Sequence, residues 1–318
     1  MKKFSFFFFL VLSLIKITKA QPHSVNDVKV TILSTMLAQE GIGEWGFSAL
    51  VEVDSIKILF DAGGRKTTVS ENSKELKVDL SKVSTLVLSH WHDDHTSGWM
   101  PLRNEVKQLQ VNALSNTHVA NGFFDIRFPN NSKESKSRRK DSIDYVLTGG
   151  KIIQHQGFDE IFPGIYLTGN VPRIFDEKNY YKANKRLDKN NQLQEDNIPD
   201  DMSLVISTNK GLILISGCGH SGLVNTIAHI NKNLPNKKVI AAIGGFHLLN
   251  ANDKQLKWTS EQLKKAGIQY FMGAHCTGIE PVYQIRTLAK LKKGNCVVGS
   301  VGDSFDLQKG FSTGDLNK

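Results

Sequence analysis

The run Ser89-His90-Trp91-His92-Asp93-Asp94-His95 constrains this chain more than any other feature. Three imidazoles and a carboxylate fall within six residues, directly after the apolar, β-branched segment Val83–Ser89, which reads as a buried strand. Side chains two apart on a chain leaving a strand point the same way. His90 and His92 can therefore converge on one point, while Asp94 and His95 turn toward a second. Such a set suits Zn²⁺, with Fe or Mn²⁺ as alternatives. A polar loop without metal is the competing reading, but chance seldom sets three histidines and an aspartate at this spacing beside a strand end.

The N-terminus has another character. Met1-Lys2-Lys3 precedes an almost wholly apolar stretch from Phe4 to Ile15, and Thr18-Lys19-Ala20 follows. A basic start, a short apolar core and small residues at a cleavage point form the pattern of a secretory signal peptide. Residues 1–20 are expected to be that leader, and 21–318 one domain with no membrane anchor after cleavage. An export leader predicts a periplasmic or secreted protein. The formal charge of +9 includes four lysines and no acid in the leader, which leaves +5 for the rest. That excess is compatible with an anionic small-molecule substrate, and equally with solvated surface loops. No interleaving of aromatic and basic residues points to nucleic acid. Three cysteines, Cys218, Cys276 and Cys296, make no disulfide framework, although one bridge stays open in an oxidising compartment.

Apolar runs predict strands at Val28–Leu33, Phe47–Val53, Ile56–Phe60, Thr85–Ser89, Ile165–Thr168, Ser203–Ser207, Leu212–Ser216, Val239–Ile243 and Tyr270–Met272. Three helices are legible in the C-terminal half: one capped by Ser221, one over Leu256–Ala266 ending at Gly267, and one starting at Pro281. The pattern alone is α/β or α+β with a mixed sheet. Two polar stretches, Asn121–Ser142 and Glu177–Asp201, fit no core, and read either as lids over a site or as surface insertions.

His-X-His-X-Asp-His resembles the signature of the metallo-β-lactamase superfamily. The strand Ile56–Phe60 ending in Asp61-Ala62-Gly63 looks like its first motif. Gly169-Asn170-Val171-Pro172-Arg173, Gly217-Cys218-Gly219-His220, Gly244-Gly245-Phe246-His247-Leu248 and His275-Cys276-Thr277-Gly278 look like one branch, the relatives of a dihydropterin-forming ribofuranosylaminobenzene phosphate synthase. The resemblance spans roughly Val28 to the C-terminus. It implies an αββα sandwich, two mixed sheets face to face with helices outside.

The resemblance also implies a ligand set. His220 would join His90 and His92 on a first metal, and His275 would join Asp94 and His95 on a second. Asp61 would brace the metal loop without ligating. His247 is a metal ligand or a substrate-facing catalytic residue, both readings standing. The chain departs from the superfamily at Cys218, which stands where many relatives carry a bridging aspartate. A thiolate can bind Zn²⁺ and a small buried thiol can simply pack, so one or two ions remain open. The usual His-containing turn before Ser203 is also missing. Asp200 and Asp201 stand there, and Asp201 is a candidate to orient a ligand imidazole. Arg173 is a candidate anion contact. Cys276 reads as packing beneath the site, and Trp91 and Trp99 as pocket walls or plain packing. His23, His118, His155 and His229 carry no motif and read as structural or exposed.

A bound Zn²⁺ lowers the pKa of a coordinated water toward about 7 and polarises the bond under attack. The expected function is an exported metal-dependent hydrolase of a phosphoester, other ester or lactone, with Asp94 and His247 as catalytic residues. A non-catalytic metal- or ligand-binding protein on the same fold is the alternative. A third class, iron redox chemistry, would expect a flavin partner domain that the chain does not carry.

Overall fold

Nearly every predicted strand is apolar at successive positions, which is the signature of a strand covered on both faces. The computed structural model, which describes residues 23–188 and 190–317, shows how. The leader expected at 1–20 lies outside the described residues. One eight-stranded sheet runs in the order Gly310–Ser312, Ser304–Asp306, Val28–Ser34, Ser48–Val53, Ile56–Phe60, Thr85–Val87, Asn116–Ala120, Lys151–His155. A seven-stranded sheet runs Cys296–Val298, Tyr270–Gly273, Val239–Gly244, Leu212–Ser216, Leu204–Ser207, Ile165–Leu167, Asp159–Phe162.

Alternate residues along each strand serve different layers. Val30, Ile32, Val51, Ile58 and Phe60 of the first sheet meet Leu204, Ile206, Ile213, Ile215 and Ile243 of the second in one core. Their neighbours point outward under helices. Leu33, Leu50, Leu59 and Leu86 pack against residues of α1 (Thr68–Glu75), α3 (Trp99–Leu109) and α4 (Arg139–Leu147). Val205, Leu214 and Phe271 pack against α5 (Leu223–Asn233), α6 (Asp253–Ala266) and α7 (Ile279–Leu288). The short α2 (Asp93–Thr96) belongs to the metal loop. The architecture is therefore the αββα sandwich.

Of the three predicted helices, α6 closes as expected on Gly267, which has φ +86°. Helix α7 starts two residues before Pro281. Ser221 does not cap α5. The N-cap position is Gly222, and the helix takes its carboxylate from far away: Glu177 accepts from Val224 N–H and Asn225 N–H. Among the described residues no helix is long and apolar enough to cross a membrane.

The four histidines without motifs are structural or exposed. His23 makes a surface pair with Glu160, and His229 lies 3.1 Å from the Thr168 carbonyl. His118, buried in the middle of its strand, sits 2.9 Å from His155, which in turn sits 2.7 Å from Asp159. Burial, then the charge of His155, pushes the His118 imidazole down to about 4. A histidine depressed in the fold contributes stability above its ordinary pKa of about 6.5 and loses it as pH falls through the folded value. Acidification from pH 6.5 to 4 should cost about 2–3 kcal/mol through this group. Denaturant unfolding across that range should be visibly flatter for His118→Gln. Equal slopes for variant and wild type would remove His118 from the account.

Candidate metal centre

Both sheets contribute parallel strands, and their carboxyl ends open on the same edge of the sandwich. Phe60 leads into Asp61, Val87 into Ser89 and His90, Ser216 into His220, Gly244 into His247, and Gly273 into His275. Ligands in sheets of this kind gather at such ends, where the chain leaves the ladder.

Asp61 is the keystone of the first loop. Fully buried and held at φ +58°, it accepts from Ser89 N–H (2.7 Å), Ser89 Oγ–H (2.7 Å) and His95 Nδ1–H (2.7 Å). It therefore braces the metal loop, as the first motif implied. Glycine is required opposite it, because a Cβ on Gly217 would lie 2.1 Å from Ser89 Oγ and 2.6 Å from Asp61 Oδ2.

The imidazoles are aimed by their Nδ1 atoms. That of His90 lies 2.9 Å from Ser89 Oγ, that of His95 is bound by Asp61, and that of His220 is held by the Asn179 carbonyl. Each ring is thereby left with Nε2 facing inward, a tautomer set by its outer partner. His90 Nε2 approaches His92 Nδ1 at 2.9 Å, and His95 Nε2 lies 3.1 Å from Cys218 Sγ.

Two ligand groups result. His90, His92 and His220 present atoms within 4.8 Å of one another, and so do Asp94, His95, Cys218 and His275. These are the two sets expected from the sequence, with Cys218 joining the second. His247 comes within the same span of Cys218 and His220. Metal contact and substrate contact both remain within its reach.

The donor chemistry fits divalent cations. Among the described residues, His220 Nε2, His247 Nδ1 and His275 Nδ1 are buried without a hydrogen-bond partner. Unpartnered buried polar atoms are costly, and a cation is the partner these lone pairs lack. His247 and His275 hold φ of +48° and +46°, a region that non-glycine residues seldom occupy except where strain serves a site.

Charge follows the same plan. Burial, with the neighbouring imidazoles, pushes His90 well below its ordinary value. Burial likewise brings His92 down to about 3. Both rings thus offer lone pairs at neutral pH. Burial opposes charge on His95, yet Asp61 and Asp94 outweigh it and hold the ring up to about 9. Burial would raise the Asp94 carboxyl, but His95 and His275 hold it well below the usual carboxylate range. Asp94 lies 3.2 Å from His275 Nε2. Without a cation beside it, burial pushes the Cys218 thiol up. A bound divalent ion is what would make it a thiolate.

Other expected site residues have different work. Arg173 does not face the cavity as an anion contact. It donates to the carbonyls of His220 (2.6 Å), Asn197 and Ile198, clamping the turn that carries His220. Asp201 braces the same turn, accepting from Ser221 N–H at 2.9 Å rather than from an imidazole. Trp99 is core, edge-on to Phe123 and tilted against Tyr145, and Trp91 lies under Arg127. Neither walls the pocket. Cys276 packs against Cys218 at 3.3 Å between sulfurs and also reaches the cavity wall. All three cysteines are free thiols.

The two polar stretches come together as a lid. Arg127–Phe128 from the first pairs with Lys185–Leu187 from the second, which pairs with Leu193–Glu195. Beneath them is a cavity of about 580 Å³, with His92, Asp94, Cys218, His220, His247 and His275 on its floor. Trp45, Tyr180 and Tyr181 stand around its mouth, and Trp45 rests 4.7 Å from the His275 ring. The sequence reading missed these aromatics, and also Asn179, Arg127 and the buried Glu44, which accepts from Ser34 Oγ (2.6 Å) and Gly64 N–H (2.9 Å). None lies in a run that would single it out.

An αββα sandwich carrying these ligand groups at its strand ends defines a metallo-β-lactamase-fold protein, and a family model of the metallo-beta-lactamase superfamily matches residues 46–169. The chain belongs to that superfamily, whose fold implies divalent-metal binding. Within it, the chain sits in the branch of the 7,8-dihydropterin-6-methyl-4-(beta-D-ribofuranosyl)-aminobenzene-5'-phosphate synthase of Methanocaldococcus jannaschii. It is 30% identical to that protein over 267 residues, 80% of this chain and 90% of the relative. An uncharacterised protein of the same organism is 31% identical over 257 residues, 81% of this chain and 91% of its own length. Among solved structures, Tm1679, a metal-dependent hydrolase of the beta-lactamase superfamily, matches with a TM-score of 0.69 at 23% identity, over 87% of this chain and 98% of that one. The metallo-beta-lactamase fold protein YhfI of Bacillus subtilis matches at 0.56 and 12% identity, over 88% and 100%. Both are likenesses of fold.

Proposed function

We propose that this protein is an exported metal-dependent hydrolase of a small molecule, cleaving a phosphoester or another ester such as a lactone. The observation that carries this reading is the pair of facing ligand groups on the floor of one aromatic-rimmed cavity. Zn²⁺ bound there would supply a water of lowered pKa and polarise the bond under attack. The chain's own residues do the rest. Asp94, kept ionised by His95 and His275, accepts the proton of the attacking water at its carboxylate. His247, with Nδ1 free in the same cavity, faces the substrate oxygen. Trp45 and Tyr181 offer flat apolar faces to a ring or acyl group, and the lid excludes water.

The relative's name supports a phosphorylated substrate with an aromatic part. It also favours a second reading, in which this chain is a synthase. The N-terminal leader pattern favours the hydrolase, because it sends the protein to a compartment apart from intracellular intermediates.

The test is elemental analysis of the protein recovered from periplasm or medium, together with turnover of a phosphodiester, a phosphomonoester, a lactone and a β-lactam. Two ions per chain, chelator-sensitive turnover of one ester class and a mature start at Gln21 are expected. Full metal loading with no hydrolysis of any substrate would turn the assignment to the synthase. One ion or none, without turnover, would turn it to a binding protein.

A further inference from the structure

A second cavity, of about 520 Å³, lies beside the end of the metal loop, with Thr96 and Ser97 in its lining. Its size is within the range of ligand clefts, about 300–1,000 Å³. Its wall carries Arg65, Lys66 and Arg138, with Met100 and Pro101 as an apolar face and Ser97 at the edge. Asp141 is the one carboxylate in the lining, and Arg138 already engages it at 3.2 Å. Arg65 and Lys66 are exposed, and among the described residues neither makes an ion pair.

Arg138 is not a loose surface charge. Its side chain is 16% exposed, and Nε donates to the Trp91 carbonyl at 3.0 Å while the guanidinium also holds Asp93. One fixed guanidinium and two unpaired cations thus converge on a concave surface with an apolar side. Arg138 is paired with Asp93 and Asp141, so the excess positive charge is that of Arg65 and Lys66, which have no ion-pair partner among the described residues.

We propose that this cavity is a second ligand site, for a small organic phosphate or phosphonate dianion whose apolar body rests on Met100 and Pro101. Arg65 and Lys66 grip the anion, in the manner by which guanidinium and ammonium groups bind phosphate oxygens. Because Arg138 also holds Asp93 and the Trp91 carbonyl, the occupied site abuts the loop that bears His90, His92, Asp94 and His95.

The test uses the metal-loaded full chain labelled with methyl-¹³C methionine and titrated with phenylphosphonate, which has no ester to hydrolyse. The Met100 methyl, assigned by Met100→Leu, should shift saturably, while those of Met202 and Met272, buried in the core between the sheets, stay in place. The double variant Arg65→Glu/Lys66→Glu, at exposed positions, should weaken that shift's affinity at least about tenfold, the loss of about 1.4 kcal/mol, with metal content unchanged. A Met100 signal that does not move up to about 10 mM ligand, a concentration at the weak end of specific recognition, overturns the proposal. So does a shift that persists undiminished in the double variant. Neither outcome bears on hydrolysis at the metal centre, because the signal is read at Met100 and requires no turnover.

Discussion

Asp94→Asn should lower turnover of the responsive ester by about 10²–10⁴-fold, the usual contribution of a positioned proton acceptor. Asp94 is the one carboxylate in its group with His95, Cys218 and His275. The amide keeps the shape but loses both the charge that His95 and His275 stabilise and the capacity to take a proton. Metal content should fall toward the share held by His90, His92 and His220, whose geometry does not depend on Asp94. The global fold should hold, since Asp61 and Ser89 brace the loop independently. A wild type that turns over no ester, with ligand binding that Asp94→Asn only weakens, would leave the protein a binding module. A variant within threefold of wild type would remove Asp94 from the chemistry.

Arg127→Ala should destabilise the protein by about 3–5 kcal/mol, because it strands two buried carboxylates. Arg127 is 1% exposed and pairs with Asp196 at 3.1 Å and Asp200 at 2.5 Å, both nearly inaccessible. It also donates to the carbonyls of Gly122, Phe123 and Asp125, and its guanidinium lies 4.6 Å from the Trp91 ring centre. Asp200 accepts from the Trp91 N–H, so the same contact ties the lid to the metal loop. Burial pushes the Asp200 carboxyl up to about 6 even with Arg127 beside it. A carboxyl raised in the fold is most stabilising below its unfolded pKa, and its contribution is lost as pH rises through the folded value. The deficit of the variant should therefore shrink at pH 5 and be largest near pH 8. Denaturant titrations at the two pH values check this. A deficit below about 1 kcal/mol at pH 8, the level of an exposed pair, would mean the lid is held elsewhere.

Much of the candidate centre was legible because its ligands lie at strand ends, and strand ends are visible as breaks in apolar runs. His90, His92, Asp94, His95, His220 and His275 each follow such a run or the short turn after it, and the structure brings them together. The strands themselves were readable because both faces are covered, so that most positions had to be apolar. Helices α1, α3 and α4 were not read, nor were the strands Asn116–Ala120 and Lys151–His155. The edge strand carries exposed Lys151, Ile153 and Gln154, and α4 leaves Ile143, Val146 and Leu147 exposed, so neither shows a clean hydrophobic period.

Local chemistry by itself determined the metal loop, the inward and outward alternation of the core strands and the stop of α6 at Gly267, because each depends on neighbours a few residues apart. Only the tertiary structure decided the parts that depend on distant partners. It turned Arg173 toward the His220 turn, supplied the cap of α5 from Glu177, closed the lid from two separate stretches and placed Trp45 over His275. It also brought Cys218 to the second ligand group, 123 residues from His95. A side chain's role there is set by which buried polar group needs a partner, and that need exists only once the sheets have packed.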